Sequence, residues 1–451
     1  MGLNENRALG NMTVGNPAKL IIKFSIPLLL GNVFQQLYNM VDSIVVGNYV
    51  GKTALAAVGT SFPVVFMLIS FFMGLGIGAT ILIAQFYGAN DYEKVRKTSQ
   101  TIYTSFIILS VPLTIIGICL SGTILRIVNV PADTFELADI YMKITFAGMI
   151  GTMGYNINAG ILQGLGDSKS SLIFLAISCV VNIILDLVFV LVFNMGVAGV
   201  ALATIIAQII SWLLGIAYIF KRYEFLRFPI LKFGFDKELF KKIFKLGLPT
   251  GIQQTIFSLG ILSLQSLINS YGSDFIAGFN AANKIDTFAF MPVQSFATAV
   301  TTYVGQNIGA NRYDRVHKGV VSTILMSLAL SGIMIIIVLP LGPTLLKLFN
   351  QEPAVIDAGM AYLSRVLPFF VILAVMFVLN STMRGAGEAI IPMISTTISL
   401  WLARIPCAYF IANNFGRDNL FYGFAIGWAV GLIITVSYYL SGRWKNKSVV
   451  K

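Results

Sequence analysis

At 451 residues, with 57% of them hydrophobic and 11% charged and a mean hydropathy of +0.82, the chain lies far from the roughly 25% charged residues of a soluble domain. The excess of 31 Lys and Arg over 19 Asp and Glu falls in the connections between apolar runs, where it reads as the topogenic bias of a membrane protein and not as a nucleic-acid surface. Cys119, Cys179 and Cys407 all lie inside apolar runs and His317 is the single histidine, which leaves no raw material for a disulfide framework, a zinc site or Ser/His catalysis.

Residues 1–19 are polar and lack the pattern of a cleaved signal peptide, so they are expected to form a cytoplasmic segment. Apolar runs at 20–48, 54–86, 98–121, 135–163, 170–194 and 197–220 are each long enough to cross a bilayer. They define a first lobe, 20–220. A basic linker, 221–245, follows, carrying Lys221, Arg222, Arg227, Lys232, Lys237, Lys241, Lys242 and Lys245. Its Phe235, Leu239, Phe240, Ile243 and Phe244 are spaced as the apolar face of a surface-lying helix. Runs at 246–270, 275–306, 319–342, 355–383, 389–412 and 420–441 make a second lobe, 246–441, before a tail, 442–451. The pattern predicts an all-α polytopic membrane protein of about 12 spans, placed in the plasma (inner) membrane with both termini cytoplasmic.

Sliding the sequence by 221 residues superposes Gln85, Gly88, Ala89, Asn90, Tyr92 and Val95 on Gln306, Gly309, Ala310, Asn311, Tyr313 and Val316. At the same offset Gly164, Gly166 and Asp167 fall on Gly385, Gly387 and Glu388, and Tyr141 on Tyr362. Such coincidence marks an internal duplication. An even number of spans per copy predicts two six-helix bundles related by a pseudo-twofold axis along the membrane normal.

Charged groups inside a span are costly, at least about 2.5 kcal/mol on insertion scales, and each asks for a reason. Asp42 in span one shares a helical face with Gln35, Tyr38 and Asn39, and Asp186 in span five with Ser178 and Asn182. Span six adds Thr204 and Gln208. Two carboxylates with Asn and Thr oxygens suit either a proton or a hard monovalent cation. The repeat places Ser263 and Cys407 at the matching positions, so the acids belong to the first lobe alone. The second lobe holds Lys284, Asp286 and Arg404, readable as an Asp286–Arg404 ion pair or as an Asp286 that receives a cationic ligand. Candidate cavity residues are Gln35 and Gln36 of span one, Asn156, Asn158 and Gln163 of span four, Gln253 and Gln254 of span seven, and Asp286, Phe290 and Met291 of span eight. Gly74, Gly76 and Gly78 fit close helix packing better than a nucleotide loop.

The chain resembles the multidrug and toxic compound extrusion (MATE) family. The likeness rests on Pro27 with Gln35-Gln36-Leu37-Tyr38-Asn39-Met40-Val41-Asp42, on the paired Gln-x-x-Gly-Ala-Asn segments at 85 and 306, on Gln163-Gly164-Leu165-Gly166-Asp167, and on Asn182-x-x-x-Asp186 followed by Gly199-Val200-Ala201-Leu202-Ala203-Thr204. It implies two six-helix bundles that export lipophilic, often cationic compounds in exchange for H+ or Na+. It also implies cation-site positions at Asp42, Asn182, Asp186 and Thr204, with Tyr38 nearby. Family members with acids in spans seven and ten are not matched there, where Gln253, Gln254 and Asn380 stand instead. The expectation is therefore a secondary antiporter embedded in membrane lipid that moves small lipophilic cations, with no cofactor, catalytic residue, nucleic acid or obligate protein partner. A flippase for a lipid-linked precursor and a membrane sensor without net transport are the alternatives.

Overall fold

The computed structural model describes residues 10–228 and 234–450, with backbone alone at 62–64, 67, 68 and 71. Lys232 of the basic linker, the first nine residues and the side chain of Pro63 lie outside the described residues. The described residues contain no strand. Helix is what lipid demands, since every backbone donor and acceptor must be satisfied within the segment.

The helices are α1 (Pro17–Val45), α2 (Lys52–Gly88), α3 (Tyr92–Ile127), α4 (Ala132–Ala147), α5 (Met149–Gly164), α6 (Ser168–Leu187) and α7 (Gly196–Arg222). After the linker come α8 (Lys237–Asn269), α9 (Ser273–Gly309), α10 (Tyr313–Lys347), α11 (Pro353–Val366), α12 (Phe370–Gly385), α13 (Ile390–Thr397), α14 (Ile405–Phe415) and α15 (Tyr422–Leu440). Among the described residues nine helical stretches are long and apolar enough to cross a membrane. Together with α2, α4–α5 and α9 they occupy the positions of the expected spans.

The duplication is visible in the backbone. Helices α2 and α9 begin and end 221 residues apart, as do α5 and α12. Gly51 and Gly272, which precede α2 and α9, both have positive φ (115° and 91°), as do Asn90 and Asn311 after those helices (59° and 56°). Span four is interrupted at Gly148 between α4 and α5. Its counterpart is interrupted by a Leu367–Phe369 turn, where Pro368 removes a backbone donor. The Gly-x-Gly-acid motifs are structural caps. Asp167 accepts from the Ser170 N–H (3.0 Å) and from Tyr218 and Tyr223 hydroxyls, and Glu388 accepts from the Ile390 N–H (2.9 Å), Tyr438 and Lys447.

Two compact units result. One comprises Leu30–Gly251 with the described residues before Met12, the other Met12–Leu29 with Ile252–Lys451. Each unit therefore takes in the opening part of the helix that continues into the other. In the first unit Gly74 and Gly78 of α2 face Gly247 and Gly251 of α8. A Cβ on Gly74 would lie 2.4 Å from the Gly251 nitrogen, and one on Gly78 2.8 Å from the Gly247 nitrogen. Such approach is what small residues four apart permit in a membrane. Gly76 meets nothing within 4 Å and takes no part. The second unit is built on aromatic packing, with Phe279 stacked 6.0 Å from Phe421 and edge-on to Tyr362 at 5.4 Å.

Candidate functional site

Three helices of the first unit bring the expected acids together. Asp42 lies near the end of α1, Asn182 and Asp186 near the end of α6, and Thr204 two turns into α7. Asn182 and Asp186 are buried, at 1% and 0% exposure, and Asp42, Tyr38 and Thr204 are half-buried. The Tyr38 hydroxyl donates to Thr204 Oγ1 at 3.3 Å. With its amide nitrogen turned toward the acids, Asn182 donates to Asp42 Oδ1 at 2.9 Å and Asp186 Oδ2 at 3.3 Å, while its oxygen accepts from the Thr204 N–H at 3.2 Å. That orientation satisfies both ends of the amide. Asp186 Oδ1 remains buried with no hydrogen-bond partner.

Both acids stand within a turn of a π-helical segment. Val46–Val50 follows α1 and Val188–Val192 follows α6. Each is the closing turn of its span, and widened turns of this kind recur at functional sites. Val46 and Val190 pack with Val45, Ala54, Val197 and Val200 into a small apolar cluster. Tyr141 of α4 packs against that cluster and lies close enough to Asp42 and Asp186 to sense their charges. Tyr141 is a site residue that inspection of single helices misses. Its signal was the repeat, in which it superposes on Tyr362.

The site is thus a knot of hard oxygen groups and two carboxylates from α1, α6 and α7, with Tyr141 of α4 beside it. No group of three or more His, Cys, Asp and Glu that could hold a metal occurs among the described residues. What the arrangement can do chemically is share a proton between neighbouring carboxylates, or hold a monovalent cation against two negative groups.

The MatE family profile matches residues 27–188 and again 249–410, one copy in each half. The chain belongs to the MatE family. Its relatives include the probable multidrug resistance protein YpnP of Bacillus subtilis, 32% identical over 96% of this chain and 97% of that one. The probable multidrug resistance protein NorM of Thermotoga maritima is 28% identical over 96% of this chain and 94% of that one. Among solved structures, the outward-facing conformation of a multidrug resistance MATE family transporter has a TM-score of 0.88 at 26% identity, covering 97% of each chain. A multi-span MATE transporter of the multidrug efflux family is therefore what the sequence encodes, as the motifs of spans one, four and five implied.

The remaining candidates are spread through this MATE fold. Gln35 is exposed and Gln36, Gln163 and Gln254 are half-buried. Asn156 donates to the Thr152 carbonyl of its own helix at 2.7 Å. Asn158 is buried and ties three helices, donating to the Trp212 carbonyl at 2.8 Å and accepting from the Tyr103 hydroxyl. Gln253 is also buried, donating to Thr396 Oγ1 (2.6 Å) and the Pro392 carbonyl and accepting from Arg384 (3.0 Å). Arg384, at the end of α12, was not singled out from the sequence, where it reads as a loop cation. Phe290 packs edge-on to Phe377 at 4.9 Å, and Met291 is buried at 4% exposure. Lys284 lies over the Phe349 ring at 5.6 Å. Asp286 meets Tyr362, and Arg404 stacks on Phe424 and Trp428.

Proposed function

We propose that the chain is a secondary active antiporter that exports lipophilic cationic compounds in exchange for H+ or Na+ taken up between Asp42 and Asp186. The observation that carries this reading is the convergence of Asp42, Asp186 and Thr204 on the Asn182 amide, with the second carboxylate oxygen of Asp186 buried and without a hydrogen-bond partner. An unpaired buried acceptor costs about 1–3 kcal/mol. A proton or a sodium ion removes that cost when it binds. The energetic reason for leaving the oxygen unpaired is then that binding must be reversible within each transport cycle.

Cation entry shortens the separation that two facing carboxylates tolerate, because it cancels their repulsion. Asn182 bridges both acids and Thr204, so drawing the acids together pulls α1, α6 and α7 with them. The π-helical turns beside the acids give α1 and α6 places to yield. Substrate release follows if the rearranged lobe binds the exported compound less well, and alternating access of the two lobes completes the cycle. The domain plan of two six-span lobes joined by a basic linker, with cytoplasmic termini, belongs to the same proposal.

Linkage supplies the test. If the cation weakens substrate binding, substrate must weaken cation binding by the same factor, on the order of 5–150-fold for usual coupling energies. Equilibrium titration of a fluorescent lipophilic cation at several Na+ concentrations and pH values should show that reciprocal shift. Independent binding of substrate against both H+ and Na+ would defeat the proposal.

A further inference from the structure

In the second unit, Asp286, Tyr362 and Arg404 come together from α9, α11 and the π-helical segment Ile398–Arg404 that joins α13 to α14. Tyr362 is fully buried beside Asp286, and Arg404 lies within electrostatic reach of both. Opposite charges in an apolar setting gain most by closing into an ion pair. Among the described residues this pair does not close, and Asp286 Oδ1 and Arg404 Nε are each buried without a hydrogen-bond partner.

Arg404 is held away by its own packing. Its guanidinium carbon lies 4.1 Å from the Phe424 ring centre and 5.4 Å from that of Trp428. Its backbone is pressed against glycines of α15: a Cβ on Gly423 would fall 2.9 Å from the Arg404 carbonyl oxygen, and one on Gly427 2.8 Å from the Arg404 Cβ. The protein's own cation thus occupies aromatic faces of the kind a quaternary ammonium ion needs. One carboxylate oxygen of Asp286 is left over as an acceptor. The neighbouring positive charge offsets the cost of burying that carboxylate without consuming the oxygen.

We propose that Asp286 is a hydrogen-bonding subsite for organic cations that carry an N–H, and that Arg404, by filling the aromatic wall, selects protonated amines over quaternary ammonium ions. This rests on the reading of the chain as a cation exporter and names which cations it takes and where one of them is received.

The full-length chain in nanodiscs is titrated, without any ion gradient, with a dansyl probe bearing a protonated dimethylamine and with its N-methylated quaternary analogue. The N–H probe should bind about tenfold more tightly, the worth of one charge-assisted hydrogen bond. Asp286→Leu should erase that preference while Asp286→Glu keeps it, and Arg404→Gln should tighten binding of the quaternary probe. Thermal unfolding of each variant identifies any that fails to fold, and the isosteric, uncharged Asp286→Asn then carries the comparison, with the preference expected to fall. Equal affinity of the wild-type chain for the two probes overturns the subsite and leaves cation export standing. A preference unchanged in folded Asp286→Leu, or quaternary binding unimproved in folded Arg404→Gln, overturns it as well. Binding of neither probe defeats the cation-exporter reading itself.

Discussion

At Asp186 one carboxylate oxygen takes a hydrogen bond from Asn182 and the other takes none, and the consequences divide the polar residues of the first lobe into two groups. Thr204 serves the acids through Asn182 and Tyr38. Thr204→Val keeps the shape and removes the Oγ1 acceptor, and should weaken coupling-cation binding about fivefold to tenfold, the worth of one hydrogen bond, as read from the cation concentration giving half-maximal exchange. Asn158 spends both ends of its amide on Tyr103 and Trp212. Asn158→Ala should lower stability by about 1–3 kcal/mol through the partners it orphans, seen as a lower Tm, with drug affinity per folded molecule unchanged. The acids, Asn182 and Thr204 were legible in the sequence because polar residues stand out of apolar runs and their spacing assigns a helical face. Tyr141 was marked only by the repeat, since the acids it lies near stand on other helices. Nor does sequence alone separate Asn158 from Asn182, because which asparagine reaches a carbonyl and which a carboxylate is decided by helix packing.

Among the helices, apolar length predicted each span but not the interruptions that position the site. The breaks at Gly148 and Leu367–Phe369 and the π-helical turns at Val46–Val50 and Val188–Val192 leave the apolar pattern unbroken, so hydropathy does not register them. Glycine roles, in contrast, separate cleanly by what surrounds them. Gly272 has φ 91° and nothing within 4 Å of a built Cβ. Gly272→Ala should therefore cost only backbone strain, about 1–3 kcal/mol. Gly74→Leu forces a side chain into the backbone of α8, 2.4 Å away, and the two helices must separate. Thermal unfolding in detergent should rank Gly74→Leu as much the more damaging; equal loss would contradict the packing assigned to α2 and α8.

For the molecule as a whole, the duplication was the most legible feature. Helix ends, caps and positive-φ residues recur at 221 residues, and the family profile matches each half once. What the halves do not share is chemistry, since Asp42 and Asp186 meet Ser263 and Cys407 in the second copy. That asymmetry is the ground on which the coupling ion is proposed to bind in one lobe, the central functional claim. Both termini are expected on the cytoplasmic side, so a cysteine placed at Lys447 should react with an impermeant maleimide only in inside-out vesicles.

The most direct test is efflux of a fluorescent lipophilic cation from proteoliposomes under separately imposed H+ and Na+ gradients, comparing the natural chain with Asp186→Asn. Antiport through the first lobe predicts flux driven by one or both gradients and abolished by the substitution in a protein that remains folded. Gradient-driven flux that persists undiminished in Asp186→Asn, or no flux under either gradient from a folded natural chain, would contradict it.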